Sequence, residues 1–334
     1  MRIRHRFFVG LAVAVTSACH DASQTPAELP TASPLSEGPT ASPVPPLPPS
    51  AVTKPVTKLA LAVITGSPEG FLVNSTLVTG KTDALLIDAQ FTLADAARVA
   101  EAVVASGKTL TTVYVTHAHP DHYFGFVAVK ERFPNARLVA LPRTVELIEK
   151  TWKAKLEQWV PLYRNAITSK PIVPEALAGN TLELEGEKLE LEGGLQGDST
   201  DNSYVWIPSL RAVVAGDLVY DGVFPWTAET TPMERKAWSA ALDELAARHP
   251  EIVVPGHQKP ERERRPSSIS FTKGYLAAYD EALADSTSAA DLQARIKARY
   301  PDTALDAIVR IAAEAAFDSK APNKKPNRGP KAKP

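Results

Sequence analysis

The chain has 334 residues, enough to bury a large core, and its 37 Lys and Arg against 38 Asp and Glu leave a formal charge of −1. So even a balance carries no global basic field, which argues against a nucleic-acid partner. The single cysteine, Cys19, excludes both a disulfide framework and a cysteine metal cluster.

Residues 1–18 read as an export signal. Arg2, Arg4 and Arg6 form a basic start, and residues 7–18 are an apolar run too short to cross a membrane as a helix. Thr16-Ser17-Ala18-Cys19 is similar to a bacterial lipobox, although Thr16 stands where an apolar residue is usual. Two outcomes follow: lipidation of Cys19 after cleavage, or ordinary cleavage near Ala18. An unmodified thiol at Cys19 is the weaker third. Residues 22–57 hold ten prolines, ten Ser or Thr and no aromatic. This composition buries too little apolar surface to offset the entropy of ordering, so residues 19–57 read as a disordered, Pro-stiffened tether. A lipid on Cys19 would then hold the domain off a membrane surface of a bacterium, in the periplasm or facing it.

The folded part begins near Lys58. Residues 59–64, 71–78 and 84–88 are strand-like, separated by Gly66, Pro68 and Gly70. Residues 92–106 predict a helix, capped by Thr92 with Asp95 three residues on and closed by Gly107. Leu93, Ala96, Ala97, Ala100, Val103 and Val104 would make its apolar face. A strand at 112–115 follows, then a short helix at 124–133 and a strand at 137–141. Residues 142–159 predict a helix with Trp152 and Trp159 as packing residues, and 160–180 look irregular. Residues 181–192 alternate apolar and acidic around Gly186. They predict a hairpin whose Glu183, Glu185, Glu187, Glu190 and Glu192 form a solvated face. Strands at 203–208 and 211–216 meet at a Pro208-Ser209 turn. Thr231-Pro232-Met233-Glu234 opens a helix running to about 248. Residues 251–255 form a strand ending at Gly256-His257, and helices follow at 268–285, 288–299 and 303–317. The tail 318–334 is basic, Pro-rich and expected to be disordered. The alternation of strands and helices predicts a layered α/β domain.

Chemistry concentrates in Thr116-His117-Ala118-His119-Pro120-Asp121-His122, directly after a β-branched strand. Three of the seven histidines fall within six residues, with an Asp between the second and third. Imidazole and carboxylate are the usual ligands of zinc and related divalent metals.

This His-x-His-x-Asp-His pattern resembles the metallo-β-lactamase superfamily. Two later stretches resemble it too: Val213-Val214-Ala215-Gly216-Asp217 and Ile252-Val253-Val254-Pro255-Gly256-His257. Asp88 closes an early strand, as an acidic residue often does in that family. The resemblance implies a four-layer αβ/βα sandwich over residues 58–262, with 263–317 as a C-terminal helical extension. It implies a hydrolase whose metal-bound hydroxide attacks a carbonyl substrate such as an ester, thioester, lactone or lactam. Zinc is the expected cofactor, as one or two ions. His117 and His119 match ligands of the first ion, Asp121, His122 and His257 those of the second, and Asp217 the carboxylate that touches both. Asp121 also matches the group that orients the nucleophile or accepts its proton. The third His of the first site is missing, because no His lies between His122 and His249. Gln196 is the first candidate for that place and Asp198 the second, and the oxygen ligand opens the site to manganese or iron. The Asp at 217, where one lactamase class has Cys, makes β-lactam hydrolysis possible but not favoured. Tyr123 is a candidate oxyanion donor or a packing residue, and Phe224 and Trp226 are a candidate substrate wall or ordinary core. The alternatives are an altered metal- or ligand-binding module at a membrane surface, or a phosphodiesterase of the same superfamily.

Overall fold

The computed structural model describes residues 59–318. The expected export signal, Cys19, the tether and the tail from 319 lie outside those residues.

The first half runs β1 (Ala60–Thr65), β2 (Asn74–Thr79), β3 (Asp83–Ile87), α1 (Leu93–Ser106), β4 (Thr109–Val115), α2 (Phe126–Arg132), β5 (Arg137–Ala140), α3 (Pro142–Tyr163) and β6 (Glu175–Ala176). The second runs β7 (Thr181–Leu184), β8 (Glu187–Leu195), β9 (Asn202–Ile207), β10 (Ala212–Val214), β11 (Tyr220–Asp221), α4 (Pro232–Ala247), β12 (Ile252–Val254) and β13 (His257–Gln258). Helices α5 (Ser267–Asp285), α6 (Ala289–Arg299) and α7 (Asp306–Asp318) close the chain. Strands β1 to β6 form one sheet in chain order, antiparallel up to β3 and parallel from there. A second sheet has the order β12-β10-β9-β8-β7, and β11 pairs with β13.

The four-layer sandwich follows from side chains alternating across each strand. In β3 and β4, Ala84, Leu86, Val113 and Val115 pack with Val99 and Val103 of α1 and Ile148 of α3. Their neighbours Leu85, Ile87 and Tyr114 turn inward and meet Leu182, Leu189, Leu191, Val205, Ile207 and Val214 of the second sheet. Tyr204, Trp206, Val213 and Val253 face out again, onto Trp238, Leu242 and Leu245 of α4 and Ile269 and Leu276 of α5. The layers are therefore helices, sheet, sheet, helices. The C-terminal helices share a further core of Tyr275, Tyr279, Leu292, Ile296, Val309 and Ala312 with Phe224.

Local rules and packing agree on most boundaries. Thr92 Oγ1 accepts from the Asp95 amide, and Gly107 takes the left-handed cap at φ 66°. The cap is worth about 1 kcal/mol, whereas burying Val99 and Val103 contributes about 1.5–3 kcal/mol each, so packing sets the helix's orientation. That buried face is Ala96, Val99, Ala100 and Val103, while Ala97 and Val104 are exposed. The helix opening at Thr231 forms as expected, and Thr231 and Glu234 close a capping box there.

Three expectations change. The expected strand at 71–78 begins only at Asn74. Phe71 and Leu72 have φ of 61° and 56° because the chain turns there, after Ser67 caps the turn at Pro68–Gly70. Helix α3 continues past Trp159 and through Pro161 to Tyr163. Its last turn is held by Tyr163 packing on Phe91 at 4.7 Å and donating to the Glu69 carbonyl. Finally, Glu185 is not simply part of a solvated face. It takes φ 52° and its carboxylate accepts the amides of Lys81, Thr82 and Asp83 at 2.6–2.8 Å. These bonds hold its pKa down at about 2. They tie the β7–β8 turn of one sheet to the β2–β3 turn of the other. Trp152 is only half-buried, with the Lys153 ammonium over its ring.

Candidate metal centre

Strand β4 points its C-terminal end at the edge of the sandwich, and residues 116–122 continue from it. Asp88, at the end of β3 with φ 60°, anchors that loop. Its carboxylate accepts from the Thr116 amide and hydroxyl, both at 2.9 Å, and from His122 Nδ1 at 2.7 Å. A turn at Pro120–His122 then sets Asp121 and His122 side by side.

The second half approaches from three strand ends. Asp198 lies in the loop after β8, Asp217 in the turn after β10, and His257 opens β13. Gly216 and Gly256 let the last two of these backbones meet. Gly216 takes φ 50°, and its carbonyl accepts from the Gly256 amide at 2.9 Å. A Cβ on Gly256 would overlap Asp217 Oδ1 and lie 2.8 Å from the Gly216 oxygen.

Two donor groups result. His117, His119, Asp198 and Asp217 offer atoms within 4.8 Å of one another, and so do Asp121, His122 and His257. Asp217 sits between the groups. Its oxygens lie 3.1 Å from His122 Nε2, 3.0 Å from His257 Nε2 and 3.8 Å from His117 Nε2. All are buried except Asp121, which is half-buried.

Outer partners decide which imidazole nitrogen faces inward. The Phe71 carbonyl, 2.6 Å from His257 Nδ1, can only accept, so that nitrogen carries the proton and Nε2 is left for the cluster. Asp88 does the same for His122. Glu229 Oε2 lies 3.5 Å from His119 Nε2, leaving Nδ1 turned inward, 2.8 Å from Asp198. Lys155 holds Glu229 in turn, at 3.0 Å. Such outer-shell acceptors fix tautomer and ring orientation at metal sites.

The donors fit a divalent metal. His117 Nε2, His122 Nε2 and Asp217 Oδ1 are buried without a hydrogen-bond partner, which is costly unless something else occupies their lone pairs. The electrostatics agree. Burial opposes charge on His119, yet Asp198 and Glu229 raise its pKa to about 10. Burial likewise opposes charge on His122, and Asp217, Asp88 and Asp121 override it. Asp217 stays ionised against burial because His257, His122 and His117 surround it. Protons on these imidazoles must leave as a metal binds.

The sequence candidates separate clearly. Asp198 enters the first group; Gln196 does not, because its amide turns back onto the Gly197 carbonyl at 3.0 Å. Asn202 shapes this loop by donating to Asp198 and Ser199. Tyr123 is fully buried among Phe124 and Val129 rather than facing the cavity. Phe224 and Trp226 do line the cavity over the donors, about 550 Å³ with its open mouth, and Phe224 also packs in the C-terminal core. Sequence reasoning missed Lys155, Trp159, Tyr220, Glu229, Leu305 and Ile308, which share that lining. Tyr220 stacks on His257 with centroids 5.1 Å apart, and its hydroxyl donates to Asp217 at 2.6 Å. Burial and then the charges of Asp198 and Asp217 push its pKa well up, so it remains a donor.

A family model described as the metallo-beta-lactamase superfamily matches residues 68–257. A metallo-beta-lactamase type 2 from Bacillus sp. (strain 170) is 30% identical over 154 residues, 46% of this chain and 53% of that protein. Its namesake from Bacillus cereus is 28% identical over 152 residues, 45% of this chain and 52% of that protein. The chain thus spans about half the length of the curated relatives it matches. Among solved structures, a metallo-beta-lactamase family protein from Thermus thermophilus superposes with a TM-score of 0.55 at 20% identity, covering 78% of this chain and 91% of that one. A metallo-beta-lactamase from Pontibacter korlensis gives 0.50 at 22%, covering 67% and 97%. These likenesses carry the fold.

Proposed function

The chain belongs to the metallo-beta-lactamase superfamily, and from that premise we propose that it is a metal-dependent hydrolase acting on a carbonyl substrate: an ester, thioester, lactone or lactam. The observation that carries the proposal is the convergence of four imidazoles and three carboxylates, buried atoms without partners among them, at the floor of an open cavity.

His117, His119, Asp198 and Asp217 would hold one ion, and Asp121, His122 and His257 a second, with Asp217 between them. A divalent metal there supplies Lewis acidity and lowers the pKa of a water from about 16 to about 7. The chain's own groups do the rest. Asp121, the half-buried carboxylate at the cavity floor, orients the attacking water and takes its proton. Tyr220 holds Asp217 in register through its hydroxyl. The walls limit access of bulk water. Four neutral imidazoles and three carboxylates carry −3, so Asp198 in place of an imidazole favours harder ions. Zinc is the first expectation, with manganese or iron the competitors. Export on a signal over residues 1–18, with lipid on Cys19, completes the proposal.

The test combines metal analysis of the purified protein with assays on chromogenic esters, thioesters, lactones and a cephalosporin, each with added zinc or manganese. Turnover that falls at least 100-fold in His119→Ala, together with lost metal, is expected. Bound metal with no turnover on any substrate would favour a binding module instead.

A further inference from the structure

We infer that the substrate is uncharged near its reacting carbonyl and carries an apolar acyl or aryl group, with Leu305 and Ile308 gripping that group and the Lys155–Glu229 pair rejecting carboxylates. The inference deepens the hydrolase reading and rests on it.

Outside the donor groups, the apolar part of the cavity wall includes Phe71, Trp159, Phe224, Trp226, Leu305 and Ile308, beside the polar Lys155, Gln158, Tyr220 and Glu229. Leu305 and Ile308 lie beyond residues 68–257, the stretch shared with the family. They come from the chain entering α7, and that segment is firmly placed. Phe224 donates to the Ala304 carbonyl at 3.1 Å, and Ala304 donates back to Gly222 at 2.9 Å. Leu305 itself sits at φ 69°, a region that costs a leucine energy and persists only where surroundings enforce it. The C-terminal helices therefore do more than cover the second sheet. They deliver two aliphatic side chains to the cavity, beside Phe224, which packs in their core.

The charges point the same way. Among the described residues, Lys155 is the only Lys or Arg in the lining. Its ammonium is already paired with Glu229 at 3.0 Å, and the other Glu229 oxygen faces His119. A substrate carboxylate held beside Lys155, away from the donor groups, meets an ammonium already paired and must displace Glu229 to reach it, which desolvation and repulsion both penalise. An apolar body meets no such barrier, and each buried methylene gains about fourfold in affinity.

The experiment uses the zinc-saturated full chain and 4-nitrophenyl acetate, butyrate and octanoate, with 5-octanoyloxy-2-nitrobenzoate as the carboxylate-bearing counterpart of the octanoate. Octanoate should exceed acetate by at least thirtyfold in kcat/KM, mostly through KM, and the carboxylated ester should fall at least tenfold below octanoate. Leu305→Gly, which suits the left-handed backbone and removes the side chain, should cut the octanoate-to-acetate ratio by about tenfold. Ile308→Ala, which leaves that backbone untouched, should cut it similarly. Glu229→Gln should narrow the gap between the neutral and carboxylated octanoates by about tenfold. A flat chain-length series, or ratios that these variants leave unchanged, would overturn the inference. A second arm does not need turnover: displacement of the neutral dye 1-N-phenylnaphthylamine by octanamide, butanamide and octanoate. If every ester, thioester, lactone and cephalosporin is inert but octanamide displaces dye at least tenfold better than either competitor, and Leu305→Gly abolishes the preference, the hydrolase reading falls and the apolar site stands. Equal displacement by all three would sink the apolar site.

Discussion

On one side of the centre, a single loop after β4 delivers His117, His119, Asp121 and His122 from six consecutive positions, with one carboxylate, Asp88, taking three of the loop's hydrogen bonds. On the other side, Asp198, Asp217 and His257 come from three separated strand ends and share one neighbour, Tyr220, whose hydroxyl oxygen lies 3.2 Å from Asp198 and 2.6 Å from Asp217 while its ring stacks on His257. The Asp217 and His257 segments meet through the backbone contact of Gly216 and Gly256. The contiguous side is thus vulnerable at one point outside the cluster. The assembled side depends on a side chain inside the cavity, Tyr220, and on how closely the main chains of Gly216 and Gly256 approach.

Asp88→Ala is the strongest way to break this contrast. It touches no donor atom's inward face, yet it removes the acceptor that orients His122 and the brace on Thr116. Metal affinity, read by chelator competition, should fall about 100-fold, the upper range for outer-shell partners. A loss under threefold would show that the loop needs no anchor.

Asp198→His sharpens the contrast instead. It restores an imidazole on the assembled side and makes the donor set less rich in oxygen. Zinc should be preferred over manganese by about tenfold more than in the parent, measured by paired metal titrations. Gln196→Ala, at the position the structure turns away, should leave both affinities within about twofold. A larger effect there would overturn the placement of Asp198.

The smallest effect lies far along the sheets from the centre. The folded-state pKa of Glu185 is depressed to about 2 by the three amides it accepts. Its contribution to stability is therefore present above the unfolded carboxylate pKa of about 4.3 and is lost as pH falls from there toward 2. Glu185→Gln should lower Tm by a few degrees at pH 7 and by almost nothing near pH 2. The same loss at both pH values would mean that charge plays no part in the tie.

The contiguous side was legible in the sequence because its residues are neighbours in the chain. So were Asp217 and His257, each following an apolar strand and a glycine in the family's manner. The layers were legible too, since alternation in residues such as Leu85, Leu86 and Ile87 assigns faces without knowledge of partners. The choice between Gln196 and Asp198 was not legible. It depends on a loop with Asp201 at φ 55° and Asn202 bonded back onto Asp198 and Ser199. Residue types alone do not reveal which side chain such a turn points inward. Glu229, Lys155 and Leu305 were missed for a related reason. Each reaches the cavity from a different segment by packing, and none belongs to a local pattern. Glu185 was hidden among four other glutamates of one hairpin, and only its turn geometry singles it out.

Gly256 contributes no side chain, yet it stands where the Asp217 carboxylate and the Gly216 main chain leave no room for one. In a library of single substitutions it should behave like a ligand, with every replacement scored as inactive, although chemically it does nothing. The position is in effect a mould: its emptiness shapes the carboxylate between the two donor groups, and an evolving chain that filled it would have to surrender the centre.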